Sequence, residues 1–184
     1  MRLAFFTSII TDGEPKSGYE IANEAIVAGL RQLGHDVVVV GFKLPRQAAV
    51  ADDNLIVLDE RDLENATASL STKLDWLRWA LTKDLPFAAA KLASFSRSDL
   101  DRIIAQYGPF DAHILNSYQM PAAFPQLTAT RFCYVAHNVE YRSALQNSES
   151  SKSRFERFMY QRDARLLKSL ERTPCENSSY VWAF

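Results

Sequence analysis

The chain has 184 residues, 47% of them hydrophobic and 23% charged, with a formal net charge of -1. That length suits one compact domain whose core needs no metal or disulfide, and the near-neutral charge excludes a global electrostatic drive toward nucleic acid. No run approaches the about 18 consecutive apolar residues of a membrane-spanning helix, so a cytoplasmic protein is expected, with peripheral contact at the inner membrane face left open.

The opening MRLAFFTSII meets TDGEP after a short apolar run and offers no small-residue cleavage site, so Arg2 to Ser8 reads as a first strand rather than part of a signal peptide. A polar loop follows, with Gly13 and Gly18. It lacks both G-x-G-x-x-G and G-x-x-x-x-G-K-[ST]. Glycine beside a helix start lets backbone amides approach an anion, and spacing alone leaves an anion-binding turn and a plain mobile loop as alternatives. The next segment, GYEIANEAIVAGLRQLG, sets Ile21, Ala25, Ile26, Gly29, Leu30 and Leu33 along one helical stripe, with Gly34 as a left-handed cap. The run Asp36 to Phe42 completes a βαβ unit and implies a parallel sheet.

Further strands are expected at Asn54 to Asp59, Asp111 to Ser117, Arg131 to Ala136 and the terminal SYVWAF. Ser98 with Asp101 reads as the capping box of a helix closed by Gly108, and Ser153 to Arg172 as a long helix. Between about 63 and 95 the alternation is interrupted by a helical insertion. Leu70, Leu74, Leu77 and Leu81 mark one face of it, and Trp76, Trp79 and Phe87 are expected to pack on the core rather than on an acceptor or membrane. The whole, residues 1 to 184, reads as a single α/β domain of Rossmann-like, doubly wound type, with a mainly parallel sheet and the insertion after the third strand.

Cys133 and Cys175 lie far apart, outside any C-x-x-C pattern and beside apolar runs, so buried free thiols in a reducing compartment are expected. Residues 152 to 172 hold seven basic side chains (Lys152, Arg154, Arg157, Arg162, Arg165, Lys168, Arg172) against three acidic ones. A solvated face is the preferred reading over acidic lipid head groups, with Phe155, Met159, Leu166 and Leu170 as the apolar stripe. His35 and His113 read as structural. No catalytic triad, paired carboxylates or metal-ligand spacing stands out.

The polar residues that invite a functional reading follow the fourth and fifth strands: Asn116 and Ser117, then His137, Asn138, Glu140 and Arg142. Open α/β sheets bind ligands at the carboxyl ends of their strands. An imidazole can donate to an oxyanion or sugar hydroxyl, and carboxylate and guanidinium can hold hydroxyls or phosphate. The plainer alternative is a Glu140–Arg142 surface pair with His137 capping the next element.

Four segments resemble the N-terminal domain of family 4 (group 1) glycosyltransferases of the GT-B fold: SGYEIANEAIVAGLRQLGHDVVVV, PFDAHILNS, YVAHNVEYR and LERTPCENSSYVWAF. Two positions depart from the family pattern: Ser17 stands where the first of two glycines is usual, and Asn116 where a second histidine is usual. The resemblance implies a retaining hexosyltransferase, active in polysaccharide, glycolipid or other glycoconjugate assembly, that uses a nucleotide-sugar donor with no cofactor and no metal. It implies that Ser17 and Gly18 approach the donor phosphates, that His137 is catalytic beside the transferred sugar, and that Asn116, Ser117, Asn138, Glu140 and Arg142 line the cleft. The partners would be the nucleotide sugar and a glycan or lipid-linked acceptor, not nucleic acid. Such enzymes bind most of the donor on a second Rossmann-like domain, and this chain reads as the acceptor-side half, inactive alone, whose apolar last strand fits a protein continuing past Phe184. The alternative is a non-catalytic Rossmann-like module that binds a nucleotide or a partner.

Overall fold

The computed structural model describes residues 1–13, 15, 17–48 and 52–183. Glu14 and Lys16 of the first loop and Phe184 of the terminal segment lie outside the described residues. Six strands form one sheet among those described: β1 (Arg2–Thr7), β2 (Asp36–Lys43), β3 (Leu55–Glu60), β4 (Ala112–Asn116), β5 (Phe132–Ala136) and β6 (Tyr180–Ala183). All neighbours pair in parallel, in the order β3-β2-β1-β4-β5-β6. The doubly wound fold expected from the apolar runs is therefore present, each of the six runs supplying its strand. The order reverses between β1 and β4, and the crevice at such a reversal is where open α/β sheets take their ligands.

Side chains alternate across the sheet with the two-residue period of a strand. Ala4, Phe6, Val38, Val40 and Leu115 face one layer, closed by Leu92, Leu100, Met120, Phe124 and Leu127. Leu3, Phe5, Val37, Ile114 and Val135 face the other, where Ile26, Val27 and Leu30 of helix α1 (Gly18–Gln32) cover them. Gly41 sits where β2 passes β1: a Cβ there would stand 2.6 Å from the Thr7 carbonyl oxygen, so only glycine allows the approach.

Helix α1 begins with a capping box. The Ser17 hydroxyl accepts from the Glu20 amide at 3.3 Å and donates to the Glu20 carboxylate at 3.0 Å. It ends in a Schellman turn, with Gly34 at φ +82 and the His35 amide reaching the Leu30 carbonyl at 3.2 Å. The insertion contributes α2 (Leu70–Thr82) and the short α3 (Phe87–Ala90), and α4 (Arg97–Tyr107) follows. Ser96 with Asp99, not Ser98 with Asp101, opens α4. The two pairs have the same spacing, and the Ser98 hydroxyl instead meets that of Ser96 at 2.7 Å. Short α5 (Gln119–Ala123) leads to a 3-10 turn at Pro125–Thr128; α6 (Glu140–Ser150) and α7 (Arg154–Asn177) precede β6.

Helical stripes were the less reliable guide. Leu70, Leu74 and Leu81 are exposed by 80%, 65% and 51%, and α2 packs through Trp76 and Ala80. Trp76 meets Phe87 edge-on at 6.1 Å, and the Lys91 ammonium lies 4.8 Å from its ring centre, in keeping with the packing role expected. Helix α7 buries Met159, Arg162, Ala164, Leu167 and Pro174. Phe155 is exposed, and Leu166 and Leu170 are only half-buried. Six of the seven basic residues of this segment are solvated, and Arg162 is the exception. Its guanidinium donates to the Ala80 carbonyl at 2.6 Å, the Leu85 carbonyl at 2.9 Å and Asp84 at 3.0 Å, while Asp163 accepts from it at 3.2 Å and from the Phe87 amide at 2.8 Å. One buried cation thus binds the end of α2 and the turn after it to α7, which sets the helix's rotation. Cys175, on the extended end of α7, is exposed, and Cys133 is half-buried; both are free. No helix among the described residues is long and apolar enough to cross a membrane.

Replacing Arg162 by methionine strips Asp163 of its cation and leaves the α2 carbonyls without donors, so about 3 kcal/mol should be lost. Urea unfolding should show this as a lower midpoint, and a midpoint unchanged from the parent would contradict the role given to Arg162.

Candidate functional site

A cleft of about 400 Å³ opens at the carboxyl ends of β1, β4 and β5. Gly18, Ser117, His137, Asn138 and Glu140, all singled out from the sequence, line it together with Tyr19, Ala22 and Gln119. Each arrives from a different local cause. Gly18 and Tyr19 are the first two residues of α1, brought to the crevice by the Ser17 cap. Ser117 follows β4 in the left-handed region, at φ +71, where a serine is strained by about 1–3 kcal/mol. That turn sends the chain into α5. His137 and Asn138 follow β5, and Glu140 starts α6.

Three of the expected residues take other positions. Asn116 is fully buried beneath His137 rather than lining the cleft, because the strand's last side chain points into the layer under α1. Ser17 lies one residue outside the lining, and its hydroxyl serves the capping box. Arg142 is exposed and outside the cleft: two residues along a helix rotate a side chain by about 200° from Glu140. Its Nε donates to the Tyr141 hydroxyl at 3.3 Å, and among the described residues it forms no ion pair with Glu140.

Beneath the cleft runs a chain of buried hydrogen bonds. The Asn116 Oδ1 lies 2.6 Å from His137 Nε2; the Asn116 Nδ2 donates to Asn23 Oδ1 at 2.6 Å; Asn23 Nδ2 donates to Thr7 Oγ1 at 3.2 Å. Thr7 Oγ1 in turn donates to the Ile9 carbonyl at 3.0 Å. Tyr19 closes the network from above, its hydroxyl 3.0 Å from Thr7 Oγ1 and its ring centre 5.1 Å from that of His137. Thr7, Asn23 and Tyr19 were not foreseen, since their partners lie at sequence separations of 12 to 109 residues. Their clue, visible afterwards, is a polar residue within an otherwise apolar strand or helical face.

Electrostatics follow from burial. Desolvation holds the His137 imidazole below its ordinary pKa, so it is neutral at neutral pH. Glu140 is pushed up, first by burial and then by the Glu171 carboxylate, while a hydrogen bond from Asn138 opposes the shift. Glu171 reaches across from α7 to accept from the amides of Glu140 and Tyr141 at 2.6 and 3.2 Å. The start of α6 is thereby capped by a carboxylate from another helix. His113, as expected, is structural: its Nδ1 lies 2.9 Å from the Leu127 carbonyl, and burial lowers its pKa. No group of three or more His, Cys, Asp or Glu side chains among the described residues is placed to hold a metal ion.

A second, larger concavity of about 640 Å³ lies between α2, α6 and α7. Leu70, Leu74, Leu77, Phe155 and Met159 form its apolar sides, and Glu140 belongs to both concavities.

No protein-family model matches the chain, and no curated relative matches it. Among solved structures the chain is similar to sucrose-phosphate synthase from Thermosynechococcus elongatus, with a TM-score of 0.55 at 16% identity. The similarity covers 98% of this chain and 41% of that one, so the chain spans less than half the length of this structural neighbour. At that identity it shows the fold, a Rossmann-like half of the kind seen in that transferase.

The raised pKa of Glu140 gives a pH test. Its folded value exceeds its unfolded one, so ionisation costs stability, and that cost sets in as pH rises above about 4.3. Glu140→Gln removes the cost. The variant should melt with the parent near pH 3 and above it near pH 7, and thermal melts at the two pH values that show no such divergence would contradict the assignment.

Proposed function

We propose that the chain is the N-terminal, acceptor-side domain of a retaining glycosyltransferase of the family 4 (group 1) type with a GT-B architecture. The observation that carries this reading is the cleft at the β1/β4 reversal, where the first turn of α1 and the half-buried His137 line one cavity. It is supported by the four sequence segments that resemble the family and by the fold shared with a sucrose-phosphate synthase over 98% of the chain.

In this reading Gly18 and Tyr19 present the start of α1 to the donor diphosphate, with Ser17 holding that turn in place. His137 contacts the transferred sugar, and Asn138, Ser117 and Glu140 border it. The protonation of Glu140 favoured by its surroundings suits a hydroxyl-rich ligand better than a second anion. The acceptor approaches from the α2/α7 groove, which meets the cleft at Glu140, so an acceptor with an apolar portion, such as a lipid-linked glycan, fits best. The enzyme needs no cofactor beyond the nucleotide sugar, and works in the cytoplasm with contact at the inner membrane face. A second domain supplies most of the nucleotide contacts, and catalysis waits on closure of the two.

Titrating the ¹⁵N-labelled chain with nucleoside diphosphate hexoses tests this. Weak binding, about millimolar, should shift the amides of Gly18, Tyr19, His137 and Asn138 together, with no sugar transfer detected. Shifts confined to other surfaces would defeat the site, and measured turnover by these 184 residues would defeat the half-site reading.

A further inference from the structure

We propose that the groove between α2, α6 and α7 is a binding site for an uncharged amphiphile, whose apolar chain lies along Leu74, Leu77 and Phe155 and whose head-group hydroxyl meets the hydroxyl of Tyr118 at the groove floor. Equating that amphiphile with the sugar acceptor rests on the proposed transferase reading; the site itself rests on the groove alone.

The tail half of the site accounts for the leucines of α2. Leu70, Leu74 and Leu77 follow one another at helical spacing, yet Leu70 and Leu74 are 80% and 65% exposed and Leu77 is only half-buried. All three border the groove. Phe155, 57% exposed, and Met159 form the wall on α7, and the small side chains of Ala88 and Ala144 leave the space between open. A concavity of about 640 Å³ with apolar walls and a few polar groups is the usual make-up of a small-molecule site. An alkyl chain laid along it takes the exposed leucine and phenylalanine surface out of water, which the fold itself does not do.

The head half is set by one hydroxyl. Ser117 lines the smaller cleft, and the next residue, Tyr118, lines the groove. Tyr118 is 6% exposed and packs among Ala89, Ala122, Ala164 and Leu167. Among the described residues its hydroxyl has no hydrogen-bond partner, yet it is not one of the polar atoms sealed from solvent. A hydroxyl carried that deep gives up most of its hydration, and a ligand hydroxyl in the groove would restore the lost bond. Charge decides which head fits. Burial, and then the carboxyls of Glu140, Asp163 and Glu171, hold the proton on Tyr118, so the phenol stays neutral and can both donate and accept. An anionic head would meet three carboxyls of the lining (Glu140, Glu156, Asp163) against two lysines (Lys73, Lys91). Of these, Lys91 already donates to the Leu63 carbonyl at 2.8 Å, with Asp62 and Glu64 beside it. A sugar or glycerol hydroxyl suits this floor, and a lipid phosphate does not.

Titrating the ¹³C-methyl-labelled chain with decyl glucoside below its micelle threshold, and with decyl phosphate for comparison, tests the site. Decyl glucoside should shift the methyls of Leu74, Leu77 and Met159 saturably, and decyl phosphate, with the same tail, should bind more weakly. Tyr118→Phe deletes only an unpartnered hydroxyl, so it should bind decyl glucoside about tenfold more weakly while its urea midpoint is no lower than the parent's. Leu74→Glu, a change at an exposed position, should abolish binding and leave the chain folded. The absence of a saturable shift, tighter binding of the phosphate, or a Tyr118→Phe protein that binds as tightly as the parent or unfolds earlier would overturn the proposal. So would binding to phosphatidylcholine vesicles without a saturable decyl glucoside site, which would make this face a membrane contact. The readout needs no nucleotide sugar: groove binding beside a failed nucleotide-sugar titration removes the acceptor role and keeps the site, and the converse result does the opposite.

Discussion

Asn116 makes two short buried hydrogen bonds at once, one to α1 through Asn23 and one to the loop after β5 through His137. An amide has to be used in this way when it is wholly buried, because each unpaired group would cost about 1–3 kcal/mol. The rest of the cleft depends on that requirement. Parallel pairing of β1 with β4, with Phe6 opposite Leu115, brings Thr7 beside Asn116 at the reversal of the sheet. Thr7 carries the hydroxyl that both Asn23 and Tyr19 reach. Four elements distant in sequence are tied at one point, and the tie lies directly under the residues that a ligand would meet.

The inner strands were legible because each is buried on both faces and so reads as an unbroken apolar run, from Leu3–Phe6 to Ile114–Leu115, while the edge strands β3 and β6 are apolar in sequence yet partly exposed. The ends of α1 were equally plain, since Ser17, Glu20 and Gly34 act within a few residues of one another. What could not be read was anything decided by a distant partner. The leucines of α2 mimic a core stripe, yet Trp76 and Ala80 face inward. In α7 the same failure arises from Arg162, whose buried guanidinium serves carbonyls some 80 residues earlier. The candidate site was legible as a set, because strand ends after β4 and β5 must converge on one crevice. The order within the set was not: Asn116 proved to lie below the cleft and Arg142 outside it, and Tyr19, Asn23 and Glu171 answer to partners distant in sequence.

The two concavities divide the surface by chemistry. The smaller is polar, and burial biases its histidine and its glutamate toward their uncharged forms; the larger is walled by leucine and phenylalanine. Their shared wall is Glu140, whose carboxyl is raised by its own burial and by Glu171. Under the proposed reading a reacting sugar and an apolar acceptor portion would meet at that residue, each on the side whose polarity it matches. The domain then contributes shape, dryness and one oriented histidine, and leaves the nucleotide to a second domain.

The central claim, that Thr7, Asn23, Asn116 and His137 act as one cooperative unit, is tested most directly by a double-mutant cycle in urea unfolding on Asn23→Ala and Asn116→Ala. Cutting the chain at either amide already strands the other, so the double variant should lose less than the two single losses combined, by about 1 kcal/mol or more. Losses that simply add would contradict a coupled chain and return the two residues to independent packing roles.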